Sequence, residues 1–378
     1  MKKKTIKITA LVVCTAIILS LSVGCSGSKK QEPVTGTIVH ELEFGGAYIS
    51  YTIDEFNALG FVYGDSVNIH FSNGYELNDI PYYNGYYTEN GQPLLVAYPG
   101  YDGIKACINN GDDLRIVAGL SDTDTAEITL NESGKYKDIQ NARDISYTDI
   151  RSEYTSDEMF ANFRSVKAGD IAKNTLYRSA SPCDNQHNRA TYVSELAEKA
   201  GIKCIIDLAD NEDKIQGYLA KEDFNCPYFL ELYENEDVIL LALNTNFTSE
   251  TFRSKIYAGL TAMAEKEGPY LVHCTEGKDR TGFVCLLLEA LCGASYEEIV
   301  DDYMITYYNY YKITEESDPS RYTVIVEHVL DPMIRLLFDD PNVDIKTADL
   351  SEGAKQYLIS TGMNEEEINA LRAVLTGK

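Results

Sequence analysis

Hydrophobic and polar positions change rhythm near residue 150. Before it, from residue 36 to about 135, short β-type runs are broken by Gly and Asn: Ile38 to Phe44, Val67 to Phe71, Leu94 to Tyr98, Ile116 to Ala118 and Glu127 to Leu130. Asn-Gly pairs at 73–74, 84–85, 90–91 and 110–111 fall between these runs, and that dipeptide favours tight hairpin turns. The pattern predicts a small all-β domain, an antiparallel barrel or sandwich. From 150 to 378 helix-length and strand-length runs alternate. Ala190 to Ala200 reads as a helix closed by Gly201, followed by a strand over Lys203 to Leu208. Val238 to Leu243 and Tyr270 to Val272 read as further strands around a helix from Thr251 to Glu267. Phe283 to Leu291 is a nearly all-apolar helix, hence one buried against a sheet, and Ser295 to Leu375 reads as helical. Strands separated by helices predict an α/β domain with a parallel-type sheet.

Residues 1–24 read as a targeting segment. A basic start, Met1-Lys2-Lys3-Lys4, leads into an apolar run from Ile8 to Val23 that Thr9, Thr15, Ser20 and Ser22 interrupt. It is too short and too broken for a membrane span. Its end, Leu21-Ser22-Val23-Gly24-Cys25, resembles a bacterial lipoprotein signal, which implies that Cys25 carries lipid and that 25–35 is a tether. Such a chain is extracytoplasmic and touches the cell membrane through its lipid anchor only. Ser22 stands where that signal prefers Leu, so an ordinary secretory leader or an uncleaved anchor is the alternative reading.

Composition narrows the remaining classes. With 44% hydrophobic and 24% charged residues the chain can bury a core, which excludes bulk disorder. The 33 Lys and Arg against 59 Asp and Glu give a net charge of −26, which disfavours nucleic acid and anionic headgroups as partners. Any anion must be held by a local site. Nine cysteines contain no Cys-x-x-Cys pair and five histidines are scattered, so no metal is expected. The tyrosines at 82, 83, 86 and 87 read as cross-strand packing rather than a sugar-stacking surface.

The chemistry lies between the Tyr270 strand and the apolar helix, in His273-Cys274-Thr275-Glu276-Gly277-Lys278-Asp279-Arg280-Thr281-Gly282. The bare Cys-x5-Arg spacing proves little, for it recurs from Cys183 to Arg189 without a preceding strand or internal glycine. At 274 a hydrophobic strand delivers the cysteine to the carboxyl end of a sheet, where open α/β folds bind ligands. The intervening N–H groups can curl around one phosphate, with the following helix pointing its positive end at the same spot. Gly277 permits a backbone angle other residues resist, and Arg280 offers a planar fork for two phosphate oxygens. The same donors favour a thiolate.

This loop resembles the signature of cysteine-dependent protein tyrosine phosphatases, in the bacterial branch with Lys-Asp before the arginine. Asn162-Phe163-Arg164, Leu176 to Ser181, Ile205 to Leu208, Tyr296 to Val300 and Asp302-Tyr303-Met304 resemble that branch in the same order. The resemblance covers 150–378 and leaves the β domain without a role. It implies Cys274 as nucleophile and Arg280 with the amides of Thr275, Glu276, Gly277 and Lys278 as the phosphate cradle. Thr281 would be the hydroxyl near the thiolate and His273 the residue orienting it. Arg178 either touches substrate or holds the loop through an ion pair. Lys278 either reaches polyanionic substrates or is solvated.

One departure matters. The chain has no Trp, so the Trp-Pro-Asp loop of eukaryotic relatives is absent, and the equivalent connection, 244–249, carries no carboxylate. The general acid must come from Asp279, Glu276, Glu250, Asp207 or Asp210, with Asp279 preferred because it belongs to the signature and Asp207 as a supporting group. The sequence therefore implies a surface-anchored phosphatase of the tyrosine/dual-specificity type, acting on phosphorylated protein without a cofactor. A phosphoinositide or inositol-phosphate phosphatase and a non-cleaving phosphate-binding protein are the alternatives.

Overall fold

The computed structural model describes residues 31–340 and 342–378, so the leader and Cys25 lie outside the described residues. Seven strands of the N-terminal region close into a barrel: β1 (Val34–His40), β2 (Ala47–Ile49), β3 (Ser66–Phe71), β4 (Glu76–Tyr83), β5 (Pro93–Val96), β6 (Ile104–Ile108) and β7 (Thr125–Glu132). Around the barrel they run β1-β2-β6-β5-β4-β3-β7. Neighbours are antiparallel except β4 and β5. Alternate side chains such as Val67, Ile69 and Phe71 point inward. Phe56 of helix α1 (Ile53–Ala58) closes the core, stacked on Phe61 at 4.3 Å and edge-on to Tyr82 at 5.1 Å.

Two of the expected β runs fold otherwise. Ile116 and Val117 belong to helix α2 (Leu114–Val117), with Ala118 as its C-cap, because Asp113 accepts a hydrogen bond from the Arg115 amide and caps a helical turn. The first run is shifted: β1 ends at His40, where the Glu41 carboxylate accepts from the amides of Glu43 and Phe44 and folds the chain into a turn. Tyr82 and Tyr83 are buried, and Tyr86 and Tyr101 share a hydroxyl hydrogen bond of 2.8 Å.

Helix α3 (Lys137–Arg143) connects the barrel to the second region, which opens with α4 (Asp157–Phe160). Its strands are β8 (Arg164–Ser165), β9 (Leu176–Ser179), β10 (Cys204–Asp207), β11 (Val238–Leu240) and β12 (Tyr270–His273), in sheet order β11-β10-β12-β9-β8. The first four in that order are parallel, and β8 pairs antiparallel at the edge. Between them run α5 (Ala190–Ala200), α6 (Glu212–Leu219), α7 (Pro227–Glu234) and α8 (Glu250–Glu265). After β12 come α9 (Asp279–Leu291), α10 (Tyr296–Tyr311), α11 (Pro319–Ile325), α12 (Asp331–Arg335), α13 (Leu350–Thr361) and α14 (Glu365–Thr376).

The period-2 pleat divides this region into two cores. Ile205 and Leu271 face α5 and α7, while Ile206 and Val272 face α8, α9 and the C-terminal helices. Helix α9 is buried from Thr281 to Leu291 on every side, which fixes the loop before it.

Candidate active site

Strand β12 is central in the sheet and ends on His273, so Cys274 emerges at the carboxyl edge between β9 and β10 with 3% of its surface exposed. The following loop is fixed from outside through its carbonyl groups. The Ser181 amide donates to Thr275 O at 3.1 Å, and the Tyr310 hydroxyl donates to Glu276 O at 2.7 Å. Gly277 O accepts from Arg178 Nη2 at 3.0 Å and from Asn162 Nδ2 at 3.2 Å. With those carbonyls turned away, the N–H groups of residues 275–278 donate to no described protein group. They are left free to face an anion, with α9 beginning behind them. Gly277 makes the turn possible: its φ is +70°, and a Cβ there would lie 2.3 Å from Ser179 O.

Arg280 stands on the first turn of α9. Its Nη1 donates to Leu243 O at 3.1 Å and its Nη2 to Thr275 Oγ1 at 3.2 Å, and it pairs with no carboxylate among the described residues. The guanidinium thus lies without a carboxylate partner against Thr275, the residue next to Cys274. Thr281 is buried under the loop, and its hydroxyl has no partner among the described residues. His273 is fully buried, with Nδ1 3.4 Å from Cys274 O and Nε2 3.7 Å from Asp207 Oδ2. Burial pushes the Asp207 carboxyl up to about 6; His273 opposes that shift and Asp210 adds to it.

Of the residues offered as substrate contacts, Arg178 takes its alternative loop-holding role, and the side chains of Glu276 and Lys278 are engaged elsewhere. Arg178 is 1% exposed and lies beneath the loop, clamped by Asp302 Oδ2 at 2.6 Å, so it positions backbone and cannot reach a substrate. Glu276 points sideways, accepting from the Tyr147 hydroxyl at 2.5 Å. Lys278 Nζ sits 3.6 Å from Glu276 and 3.7 Å from Asp279, so its charge is largely answered within the loop. Burial works against the Lys278 ammonium, but Asp279, Tyr311, Tyr307 and Glu276 outweigh it and raise its pKa. The Asp279 carboxylate is half exposed.

Sequence reasoning gave no role to Asn162, Arg164, Asp302 and Glu289, which lie beneath the loop with Arg178. Asn162, at φ +50°, bonds Gly277 O, Thr306 and Asn309. Asp302 joins Arg164 and Arg178; burial opposes its charge, yet the two guanidiniums hold the carboxyl well below the usual range. Glu289 beside it is fully buried, and burial followed by the Asp302 charge pushes its pKa well up. The signal was present in Asn162-Phe163-Arg164 and Asp302-Tyr303-Met304, but only the fold brings those segments under one loop. The second Cys-x5-Arg spacing makes no cradle: Arg189 Nε donates to Phe160 O and its Nη1 pairs with Asp149. Among the described residues, Cys183, Asp207 and Asp210 form the one group whose ligand atoms lie within 4.8 Å of one another. Asp210 Oδ1 there already accepts from Lys214 and Tyr218.

The model of the tyrosine phosphatase family matches residues 135–377, well over half of the chain and all of the loop and its supports. The chain belongs to that family. A tyrosine-protein phosphatase from Nostoc commune is 31% identical over 121 residues, a match covering 28% of this chain and 40% of the relative. The core catalytic domain of the PP-IP phosphatase SIW14 from S. cerevisiae, solved with citrate, shares 21% identity over 46% of this chain and 90% of its own, with a TM-score of 0.26. TpbA from P. aeruginosa shares 15% over 62% and 99%, with a TM-score of 0.23.

Proposed function

We propose that this chain is a phosphatase that hydrolyses phosphomonoesters on phosphotyrosine, phosphoserine or phosphothreonine proteins through a cysteinyl-phosphate. The observation that carries this reading is the loop itself, whose carbonyls are held outward by Ser181, Tyr310, Arg178 and Asn162 around Cys274. A phosphoryl group seated among the free N–H groups takes the Arg280 fork on two oxygens and presents phosphorus to Sγ. Sγ then attacks, the phosphorus–oxygen bond to the leaving group breaks, and the departing oxygen takes a proton. Water attacks the phosphorus next, the sulfur–phosphorus bond breaks, and phosphate leaves with the thiolate restored. Arg280 and the amides stabilise the charge on the equatorial oxygens in both steps. Phosphoprotein is favoured over polyanionic headgroups because Lys278 is already answered by two carboxylates.

The reading includes display at the cell surface through a lipidated Cys25, supported by Met1 to Cys25 in the sequence.

Turnover of phosphopeptides, phosphoinositides and inositol phosphates by the full chain tests the substrate class, with phosphopeptides expected to be hydrolysed fastest. Cys274→Ser is expected to abolish turnover while phosphate esters still bind, and appreciable activity in that variant would sink the mechanism. Cys25→Ser is expected to move the protein from the membrane fraction to the medium; an unchanged distribution would remove the anchor.

A further inference from the structure

The barrel has no part in the mechanism above, yet it touches the catalytic region at one informative place. The segment 241–249 joins β11 to α8, and by the family resemblance its 244–249 part is the counterpart of the relatives' acid loop. Its two ends are anchored inside the catalytic core. At one end Leu243 N donates to Leu208 O at 2.8 Å, and Leu243 O takes Arg280 Nη1. At the other, Phe247 stacks on Phe283 at 4.3 Å, and Phe247 O accepts from the Tyr357 hydroxyl at 2.6 Å.

The middle is held from the barrel. Asn90 Nδ2 donates to Thr245 O at 2.8 Å, Asn110 Nδ2 donates to Thr245 Oγ1 at 3.1 Å, and Asn246 Nδ2 donates back to Asn110 O at 3.0 Å. Thr245 has no other hydrogen-bond partner among the described residues. The two barrel asparagines are themselves joined, Asn110 Nδ2 to Asn90 Oδ1 at 2.8 Å. Their loops are laced together as well, Gly91 N donating to Asn109 O at 2.7 Å and Asn109 N to Gln92 O at 3.0 Å. Asn110 holds φ +46°, a left-handed turn that aims its carbonyl and its amide group at the same connection.

We infer that the barrel is a built-in positioning element for the catalytic site, with Asn90 and Asn110 as the positioning residues that fix Thr245 and Asn246. The chain from barrel to chemistry is short: Asn110 holds Thr245, two residues on from the Leu243 carbonyl that receives Arg280. Leu243 itself stays tied to Leu208, but a connection free in the middle would let the rim of the cradle beyond it wander, and binding of a substrate larger than the phosphoryl group would suffer first. The inference rests on the phosphatase reading for its kinetic arm only.

The test uses the full chain carrying Asn90→Ala with Asn110→Gly, glycine being chosen because it keeps the left-handed turn. Amide hydrogen exchange is expected to rise selectively in 244–249, and KM for a phosphopeptide to rise about tenfold with kcat changed far less. Thr245→Val removes the hydroxyl acceptor, so its effect and that of Asn110→Gly should overlap rather than add. If the wild type turns over no phosphoester while exchange still rises in 244–249, the phosphatase reading fails and the clamp stands. Unchanged exchange in 244–249, or exchange raised throughout the barrel, would overturn the inference by assigning the asparagines no role or a role in the barrel's own fold.

Discussion

Arg178 donates from Nη2 to Gly277 O at 3.0 Å while Nη1 of the same guanidinium lies 2.6 Å from Asp302 Oδ2. One buried arginine thus ties the floor of the phosphate loop to helix α10. Asp302 also takes Arg164, whose Nη1 reaches Asn162, the second donor to Gly277 O. The loop's shape is therefore set by a charged network beneath it. Asp302→Asn is expected to lower stability by about 3–5 kcal/mol, since it leaves two buried guanidiniums without their counter-charge. Urea denaturation measures this, and a loss below about 1 kcal/mol would mean that water or relaxation answers the arginines.

Gly277→Ala isolates the shape of the loop from its charge. The left-handed backbone alone costs a residue with a Cβ about 1–2 kcal/mol. The new Cβ would also meet Ser179 O at 2.3 Å and Ser179 C at 2.5 Å, both backbone atoms of β9 that cannot swing aside. A shift of the loop by several tenths of an ångström is the cheapest relief, and misplacement on the order of 1 Å costs about 100-fold in rate. The variant is expected to fold and to lose kcat/KM by about that factor. Near-normal turnover would show that the cradle tolerates a displaced backbone.

Much of this architecture was legible in the chain. The strand over Lys203 to Leu208, the helix stopped at Gly201 and the all-apolar helix after the signature follow from period and punctuation, and β10, α5 and α9 lie there. The barrel was less legible because its strands are short and punctuated within. Strand β4 contains Asn78, Asp79 and Pro81, residues that argue against a strand until the register shift within β3–β4 pairing is seen. Helix α2 runs against the strand preference of Ile116 and Val117, because the Asp113 cap starts a helical turn there. In the site, Cys274 and Arg280 could be found from spacing and context. For Arg178 the chain left substrate contact and a loop-holding ion pair both open, because the partner that decides it, Asp302, lies 124 residues away and meets it only after β9 and α10 pack.

Asp207 makes stability depend on pH in a direction that can be worked out. Its folded pKa is raised from 3.8 to about 6, first by burial. The fold therefore prefers the neutral carboxyl, and its contribution is fully present below the ordinary value and lost as pH rises through about 6. Asp207→Asn keeps an oxygen for the amides of Ala209 and Asp210 that Oδ1 now accepts. It does not ionise, so the difference in unfolding free energy should move in favour of the Asn variant between pH 4 and pH 7. A difference that stays flat over that window would mean that His273 compensates the charge fully.

The proton for the leaving group is the remaining chemical requirement, and a positioned acid contributes about 10²–10⁴-fold. The five carboxylates raised by the sequence now differ in circumstance. Glu276 is engaged by Tyr147 and Lys278, and Asp207 and Asp210 are buried at 0% and 2% exposure. Glu250 sits in the first turn of α8, where its charge complements the helix end. Asp279 shares Lys278 with Glu276, at 3.7 Å, but has no hydroxyl partner like Tyr147 among the described residues and is half exposed on the first turn of α9, directly before Arg280. An ion pair orienting Arg280 would be a competing role for Asp279, but the guanidinium bonds Leu243 O and Thr275 Oγ1 instead. We therefore assign the acid to Asp279 as a prediction that leaving groups can test. Asp279→Asn should slow alkyl phosphates, which need the proton, by about 100-fold, and activated aryl phosphates by less than about tenfold. Equal slowing of both would give Asp279 a purely electrostatic part in the loop, and the same comparison would then be made with Asp210→Asn.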